Sequence, residues 1–205
     1  QKRIIGVIYC RLGSTRLPNK ALKKLNKVES IKRTIFNSLQ MKIDDLVIAT
    51  GDKNNNHKLE KIRTDLLTQY YDIPIYYGNE NNLFERTQMV IDKLRLNDDD
   101  YILRLTGDDV CRSYEIANHL INFVKNSNES YDYITNYPSD CAVGLGSEIM
   151  SVRSLKYFNR LIKEPNEHLT CYYLFFRKIL KIKIIKLDPK YSLNSTITLD
   201  DENDY

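Results

Sequence analysis

Three short stretches of this 205-residue chain gather residue types that could handle phosphate and metal. The first, Tyr9 to Leu22, reads YCRLGSTRLPNKAL and follows an apolar run, IIGVIY, that starts at Ile4. Gly13 lets the backbone turn and expose N–H groups, and Ser14 and Thr15 add hydroxyl donors. Arg11 and Arg16 can fork onto phosphate oxygens, while Lys20 supplies a mobile point charge. These are the parts of a polyphosphate site, although neither the Walker A spacing nor the Rossmann glycine pattern is present. A basic surface loop would have the same composition, and the residues alone leave both readings open. The second stretch, RLTGDDV from Arg104, puts Asp108 and Asp109 directly after a strand-like run and a glycine. A carboxylate there suits Mg²⁺, which takes one or two protein carboxylates and completes its shell with water and phosphate oxygens. Gly-Asp is also ordinary turn chemistry. The third, STITLDDENDY from Ser195, alternates through Thr196 and Thr198 like a strand and then offers Asp200 and Asp201. On its own it reads as an acidic tail.

What must position these groups is an alternation of two hydrophobic periods. Strand-like runs begin at Ile4 (IIGVIY), Asp45 (DLVIAT), Ile73 (IPIYY), Tyr101 (YILRLT) and Tyr131 (YDYIT). Helical patterns lie between them. Leu59, Ile62, Leu66 and Tyr70 share one face, and Leu83, Met89, Val90 and Leu94 share another less regularly. Ile116, Ala117, Leu120, Ile121 and Val124 mark a third helix, with Ser113 as its N-cap and Glu115 in its first turn. Strand, helix, strand, helix at this spacing predicts an α/β fold, a mostly parallel doubly wound sheet covered on both faces. Beyond Tyr137, the segment YPSDCAVGLGSE leads to a short strand, two helices and the alternating run LKIKIIKL. That last run is expected to lie antiparallel at an edge, with Lys181, Lys183 and Lys186 as charges against aggregation. In a doubly wound sheet, ligands bind beyond the carboxyl ends of the strands. CRLGSTR, TGDK after the second strand and TGDDV all fall at such ends.

The chain is 42% hydrophobic and 28% charged, the balance of one globular domain spanning residues 1–205. No apolar run approaches the ~20 residues of a membrane helix, so no membrane partner is expected and cytoplasmic residence is the default. Cys10, Cys111, Cys141 and Cys171 are scattered without a C-x-x-C pair, which argues against a zinc site or a disulfide framework. A net charge of +4 suits an anionic small molecule and is weak for a nucleic-acid binder. The fifteen tyrosines show no alternation with basic residues, so no base-stacking platform and no nucleic-acid partner are expected.

Taken together, the stretches resemble one family, the cytidylyltransferases that make CMP-activated sugar acids, and especially their spore-coat-polysaccharide-type branch. Arg11, Ser14, Arg16, Leu17, Pro18 and Lys20 fit its Ala-Arg-x-x-Ser-x-Arg-Leu-Pro-x-Lys opening, with Cys10 in place of the alanine. The likeness continues through DDLVIATGD, then YYGNENNLFERTQ with Gly78, Leu83 and Arg86, then RLTGDD and GLGSE. It closes with NEHLT at Glu167, His168 and Thr170 and with TLDDENDY, seven segments in the family's order. Asp109-Val110-Cys111 departs from the usual Cys-Pro-Leu, Asp201 replaces a threonine, and Gly51 stands where relatives carry serine. The resemblance implies a Rossmann-like sheet of the nucleotide-diphospho-sugar-transferase type with a small antiparallel extension. It also implies transfer of CMP from CTP, with Mg²⁺ as cofactor and pyrophosphate released.

Under that resemblance Arg11 and Lys20 would act on the leaving group, and Asp108 and Asp200 would hold the metal. Cys10, Leu12, Gly13, Ser14, Thr15, Arg16, Thr50, Gly51, Asp52, Gly78, Arg86, Thr106 and Gly107 would surround the nucleotide. Glu148, Glu167 and His168 would face a small anionic acceptor, with His168 as orienting group, base or structural residue. The acceptor would be a phosphorylated metabolite such as phosphoglutamine, or a sugar acid such as a nonulosonate or 3-deoxy-octulosonate. Capsule or surface polysaccharide would be the destination. The resemblance allows a homodimer, though no interface stripe is legible. Rival readings are a nucleotide-sugar glycosyltransferase using the DDD run at Asp98, Asp99 and Asp100, and a non-catalytic nucleotide- or RNA-binding domain.

Overall fold

The computed structural model describes residues 2–13, 17–137, 142, 144–165, 168–191 and 197. Strand β1 (Ile4–Tyr9) is buried along its whole length, as an apolar run with no polar alternation requires when both faces of a sheet are covered. Parallel neighbours flank it: β4 (Asp45–Thr50) and β6 (Tyr101–Thr106). Beyond β4 lies β5 (Ile75–Tyr77). Beyond β6 come β8 (Glu148–Ser151), β7 (Tyr133–Thr135) and β9 (Ile182–Ile184), giving the order β5-β4-β1-β6-β8-β7-β9. Only β8 runs against the others.

Alternate residues of each strand feed two cores. Ile4, Ile8, Leu103 and Leu105 pack under α1 (Ser30–Ser38), α3 (Leu59–Leu67) and α5 (Tyr114–Asn126), which contribute Ile31, Ile35, Leu59, Ile62, Ile116 and Leu120. Ile5, Val7, Val47 and Ile102 pack under α4 (Leu83–Lys93), α6 (Val152–Leu161) and α7 (Leu169–Phe175), which contribute Phe84, Val90, Leu155, Phe158 and Tyr173. Ser113 caps α5, accepting from Ile116 N–H, and Asn82 caps α4, accepting from Phe84 and Glu85 N–H. Among the described residues no helix is long and apolar enough to cross a membrane.

Three details differ from the sequence reading. First, β9 is an edge strand but pairs parallel with β7, not antiparallel. β8 ends where β7 begins, and after α6 and α7, which both feed the same core, the chain enters β9 at that same end. Its lysines do face charge and rings: Lys181 lies 3.3 Å from Glu129 and over Tyr131, and Lys183 lies over Phe123. Second, Tyr70 is not on the buried face of α3. It lies past the helix end, 98% exposed, at φ 66°. Third, a hairpin precedes α1: β2 (Lys24–Leu25) and β3 (Val28–Glu29), joined by Asn26 and Lys27 at φ 48° and 72°. Two consecutive positive φ values are what a two-residue type I′ connection demands. The short helix α2 (Lys53–Asn56) follows β4.

Candidate active site

From β1 the chain winds outward through β4 and β5, then crosses back to place β6 on β1's other side. The carboxyl ends at that reversal are level, since Tyr9 pairs with both Ala49 and Thr106. The loops that leave them stay bonded for one more step. Cys10 N–H donates to Ala49 O, Gly107 N–H to Tyr9 O and Gly78 N–H to Thr50 O, at 3.1, 3.1 and 3.0 Å. A crevice of about 1600 Å³ opens above them, where ligands of such sheets bind.

Lys20 and Asp108 meet across its centre. Asn19 adopts a left-handed turn at φ 54° and starts a short 3₁₀ turn, Lys20–Leu22, from which Lys20 Nζ donates to Asp108 Oδ2. Both side chains are less than one-fifth exposed. Burial raises the Asp108 pKa, but hydrogen bonds from Lys20 and the Thr106 hydroxyl outweigh it, and the carboxyl stays ionised below the usual range. The neighbouring Asp109 is not a second open carboxylate. Its Oδ2 accepts from Thr106 N–H and from Arg112, whose guanidinium also donates to Gly146 O. Beneath Gly107 lies the Cys10 thiol, 2.9 Å from where a Cβ on Gly107 would stand. Burial, then the charge of Asp108, pushes its pKa up to about 12, so Cys10 packs here as a neutral group.

On the β4–β5 side the main chain holds the charges. Arg86 is 3% exposed and spends its donors on carbonyls, those of Asn79 and Glu80. Burial and then the nearby Arg11 lower its pKa. Arg11 Nη1 donates to the same Glu80 carbonyl at 2.7 Å. The Glu80 carboxylate lies on Gly51, where Oε2 accepts from Asp52 N–H and Asn56 Nδ2, both at 2.9 Å. Asn56 Oδ1 in turn accepts from Leu12 N–H.

On the β6–β8 side, side chains hold one another. Register puts Arg104 opposite Glu148 in the wall of the crevice, with Nη1 2.9 Å from Oε2. Glu148 Oε1 accepts from the Tyr133 hydroxyl, whose pKa is driven far up by burial and then by Glu148's charge. Arg104 Nη2 lies 2.7 Å from His168 Nε2. A guanidinium only donates, so Nε2 accepts, and the neutral imidazole carries its proton on Nδ1, 3.1 Å from Thr170 Oγ1. Desolvation and then Arg104's charge hold the His168 pKa below its ordinary value, although the ring remains open to solvent on one side. With its lone pair engaged, His168 positions Arg104 and is not a free base in this arrangement.

Of the residues the sequence nominates, Cys10, Arg11, Gly13, Lys20, Arg86, Thr106, Gly107, Asp108, Glu148 and His168 line the crevice. Gly51 and Asp52 lie against the Glu80 carboxylate, Thr50 and Gly78 are joined to each other through the main chain, and none of the four lines the crevice. Leu12 is a core residue that reaches the site only through its N–H. Ser14, Thr15, Arg16, Glu167 and Asp200 lie outside the described residues. Sequence reasoning missed Arg104, Tyr133 and Glu80. Arg104 carried a signal, a lone cation inside an apolar strand, whereas Glu80 stood in a polar run with nothing to set it apart. Among the described residues no three His, Cys, Asp or Glu side chains cluster as a metal site. The Asp98, Asp99 and Asp100 run of the glycosyltransferase reading precedes β6, at the far end of the sheet. There Asp98 pairs with Lys156, and Asp100 accepts from the N–H groups of Arg3 and Asn97.

Comparison with known proteins bears on the family and the fold. The sequence pattern of the cytidylyltransferase family fits residues 5–166. The chain is 27% identical over 213 residues to the spore coat polysaccharide biosynthesis protein SpsF of Bacillus subtilis, spanning 98% of this chain and 83% of that one. A cytidylyltransferase structure from Leptospira borgpetersenii superposes with a TM-score of 0.88 at 20% identity, covering all of this chain and 84% of the other. A CMP-2-keto-3-deoxy-manno-octonic acid synthetase solved with CTP superposes at 0.70 and 15% identity, covering 98% and 95%. At those identities the structures speak for the fold, an α/β nucleotidyltransferase sheet, and the sequence pattern speaks for descent. With more than half of its length fitting that pattern, the chain belongs to the cytidylyltransferase family of nucleotidyltransferases.

Proposed function

We propose that this protein transfers CMP from CTP to a small anionic acceptor, releasing pyrophosphate, in the synthesis of a surface or capsule polysaccharide. An acceptor oxygen attacks the α-phosphorus and pyrophosphate leaves in line, so the protein's task is to position the partners and stabilise developing charge. The observation that carries the reading is the meeting of Lys20 and Asp108, 88 residues apart, at the strand ends where the winding reverses. Lys20 and Arg11 neutralise charge gathering on the leaving pyrophosphate. Arg86, buried without a carboxylate partner among the described residues, keeps the β5 end of the crevice positive.

Asp108 is a hard-oxygen donor held ionised at the crevice, which fits Mg²⁺ with its need for few protein carboxylates. Asp200 would join it on the resemblance of TLDDENDY to the family's closing segment. Bound there, Mg²⁺ would screen the phosphate oxygens. The acceptor lies on the other side, against Arg104, Glu148 and His168, and its class is a phosphorylated metabolite or, failing that, a sugar acid.

The test is pyrophosphate release from CTP and Mg²⁺ with a panel of both acceptor classes. Release with a phosphorylated acceptor is expected. Release only with a sugar acid would reverse the acceptor class, and turnover of nucleotide sugars without CTP use would contradict the reading.

A further inference from the structure

Glu80 has no part in that scheme, yet its place is built with care. Its carbonyl receives Arg11 and Arg86, each at 2.7 Å. Its Oε2 receives Asp52 N–H and Asn56 Nδ2, and through Asn56 it is tied to the loop after β1. The slot exists because residue 51 has no side chain. A Cβ on Gly51 would stand 1.7 Å from Oε2, 2.5 Å from Cδ and 3.0 Å from the Glu80 Cα. The other oxygen is differently placed. Oε1 lies 3.8 Å from a Cβ built on Gly13 and 3.8 Å from Arg11 Nη1, and it accepts no hydrogen bond among the described residues. Glu80 lines the crevice with its side chain 17% exposed. Two donors thus aim the carboxylate, and one of its oxygens is left with spare acceptor capacity between two loops at the strand ends.

We propose that Glu80 selects the nucleoside, with Oε1 accepting a hydrogen bond from a donor on it. This assignment rests on the crevice being the nucleotide site. An anion beside a triphosphate is unfavourable unless it meets a donor, and phosphate oxygens carry none. The donors a cytidine nucleotide offers are the exocyclic amine of the base and the hydroxyls of the sugar. Uracil presents a carbonyl where cytosine presents that amine. A carboxylate facing the carbonyl would gain no hydrogen bond and would be left partly desolvated, the circumstance in which discrimination is strongest. Arg11 and Arg86, both bonded to the Glu80 carbonyl, offset the added negative charge.

The experiment is equilibrium binding of CTP, UTP, 2′-deoxy-CTP and 3′-deoxy-CTP to the full chain with Mg²⁺. It compares the wild type with Glu80→Ala and Gly51→Ala. The second variant keeps Glu80 in the chain but evicts its carboxylate from the slot. The readout is the ratio of affinities within each protein, which does not depend on the fraction folded. The wild type should favour CTP about tenfold or more over the analogue lacking the donor that Glu80 reads. That analogue is UTP if the donor is the amine, or a deoxy nucleotide if it is a hydroxyl. Both variants should bring the ratio to within about threefold. The assignment is overturned if the wild type binds all four alike, or if its ratios survive in both variants. It is also overturned if Glu80→Ala tightens all four equally, which would mean the carboxylate merely fills an empty site. A wild type that binds none of the four overturns the nucleotide reading itself, and this assignment with it.

Discussion

The two sides of the crevice hold their charges by different means. On the β4–β5 side, Arg11 and Arg86 end on main-chain carbonyls, and glycines let the loops approach. On the β6–β8 side, Arg104, Glu148, Tyr133 and His168 bond one another, three of them from adjacent strands in fixed register. Of this group, Arg104 Nε is left without a partner among the described residues. A site made of loops and carbonyls can adjust to a ligand without leaving a buried ion unpaired. A site made of interlocked side chains cannot, because every member is the partner of another.

That contrast breaks most visibly under truncation. Arg104→Met leaves Glu148, 6% exposed, without its cation and should cost about 3–5 kcal/mol. Arg86→Met removes a guanidinium bound only to carbonyls and should cost about 1–3 kcal/mol. Urea midpoints at unchanged slope measure both, and equal losses would erase the distinction. Lys20→Ala and Asp108→Asn, at the seam between the sides, should each lower turnover about 10²–10³-fold. The check is pyrophosphate release at saturating CTP, and near-normal turnover in either variant would remove that pair from the chemistry.

The smallest effect is a pH dependence. The folded protein holds His168's pKa below the ordinary value near 6.5, so the unfolded chain takes up the proton first. Its contribution to stability is complete above that value and is lost as the pH falls toward the lowered native one. Wild type should therefore lose stability more steeply than His168→Gln as the pH falls below about 7. Parallel slopes would mean that the imidazole is not held neutral.

The parts of this arrangement legible in the sequence are those decided by burial alone. β1, β4 and β6 are near-continuous apolar runs, interrupted within β6 only by Arg104, and the polar loops at their ends follow from the parallel order. The position of Asp108 relative to Lys20 needed register, which apolar pattern does not encode. The direction of β9 depended on the two helices before it, and the hairpin at Asn26 and Lys27 lacked the glycine that usually marks such a turn. His168 was legible as a motif but not in its role, because that role depends on which nitrogen faces a guanidinium. Glu80 was illegible for a similar reason, since its seat is made by a missing side chain 29 positions earlier.

The central claim is that one side of the crevice serves the nucleotide and the other the acceptor. Titration calorimetry of CTP into Glu148→Gln, with Arg11→Ala alongside, tests it most directly. CTP should bind Glu148→Gln within about twofold of wild type and bind Arg11→Ala about tenfold or more weakly. A loss of CTP affinity in Glu148→Gln as large as that in Arg11→Ala would contradict the division.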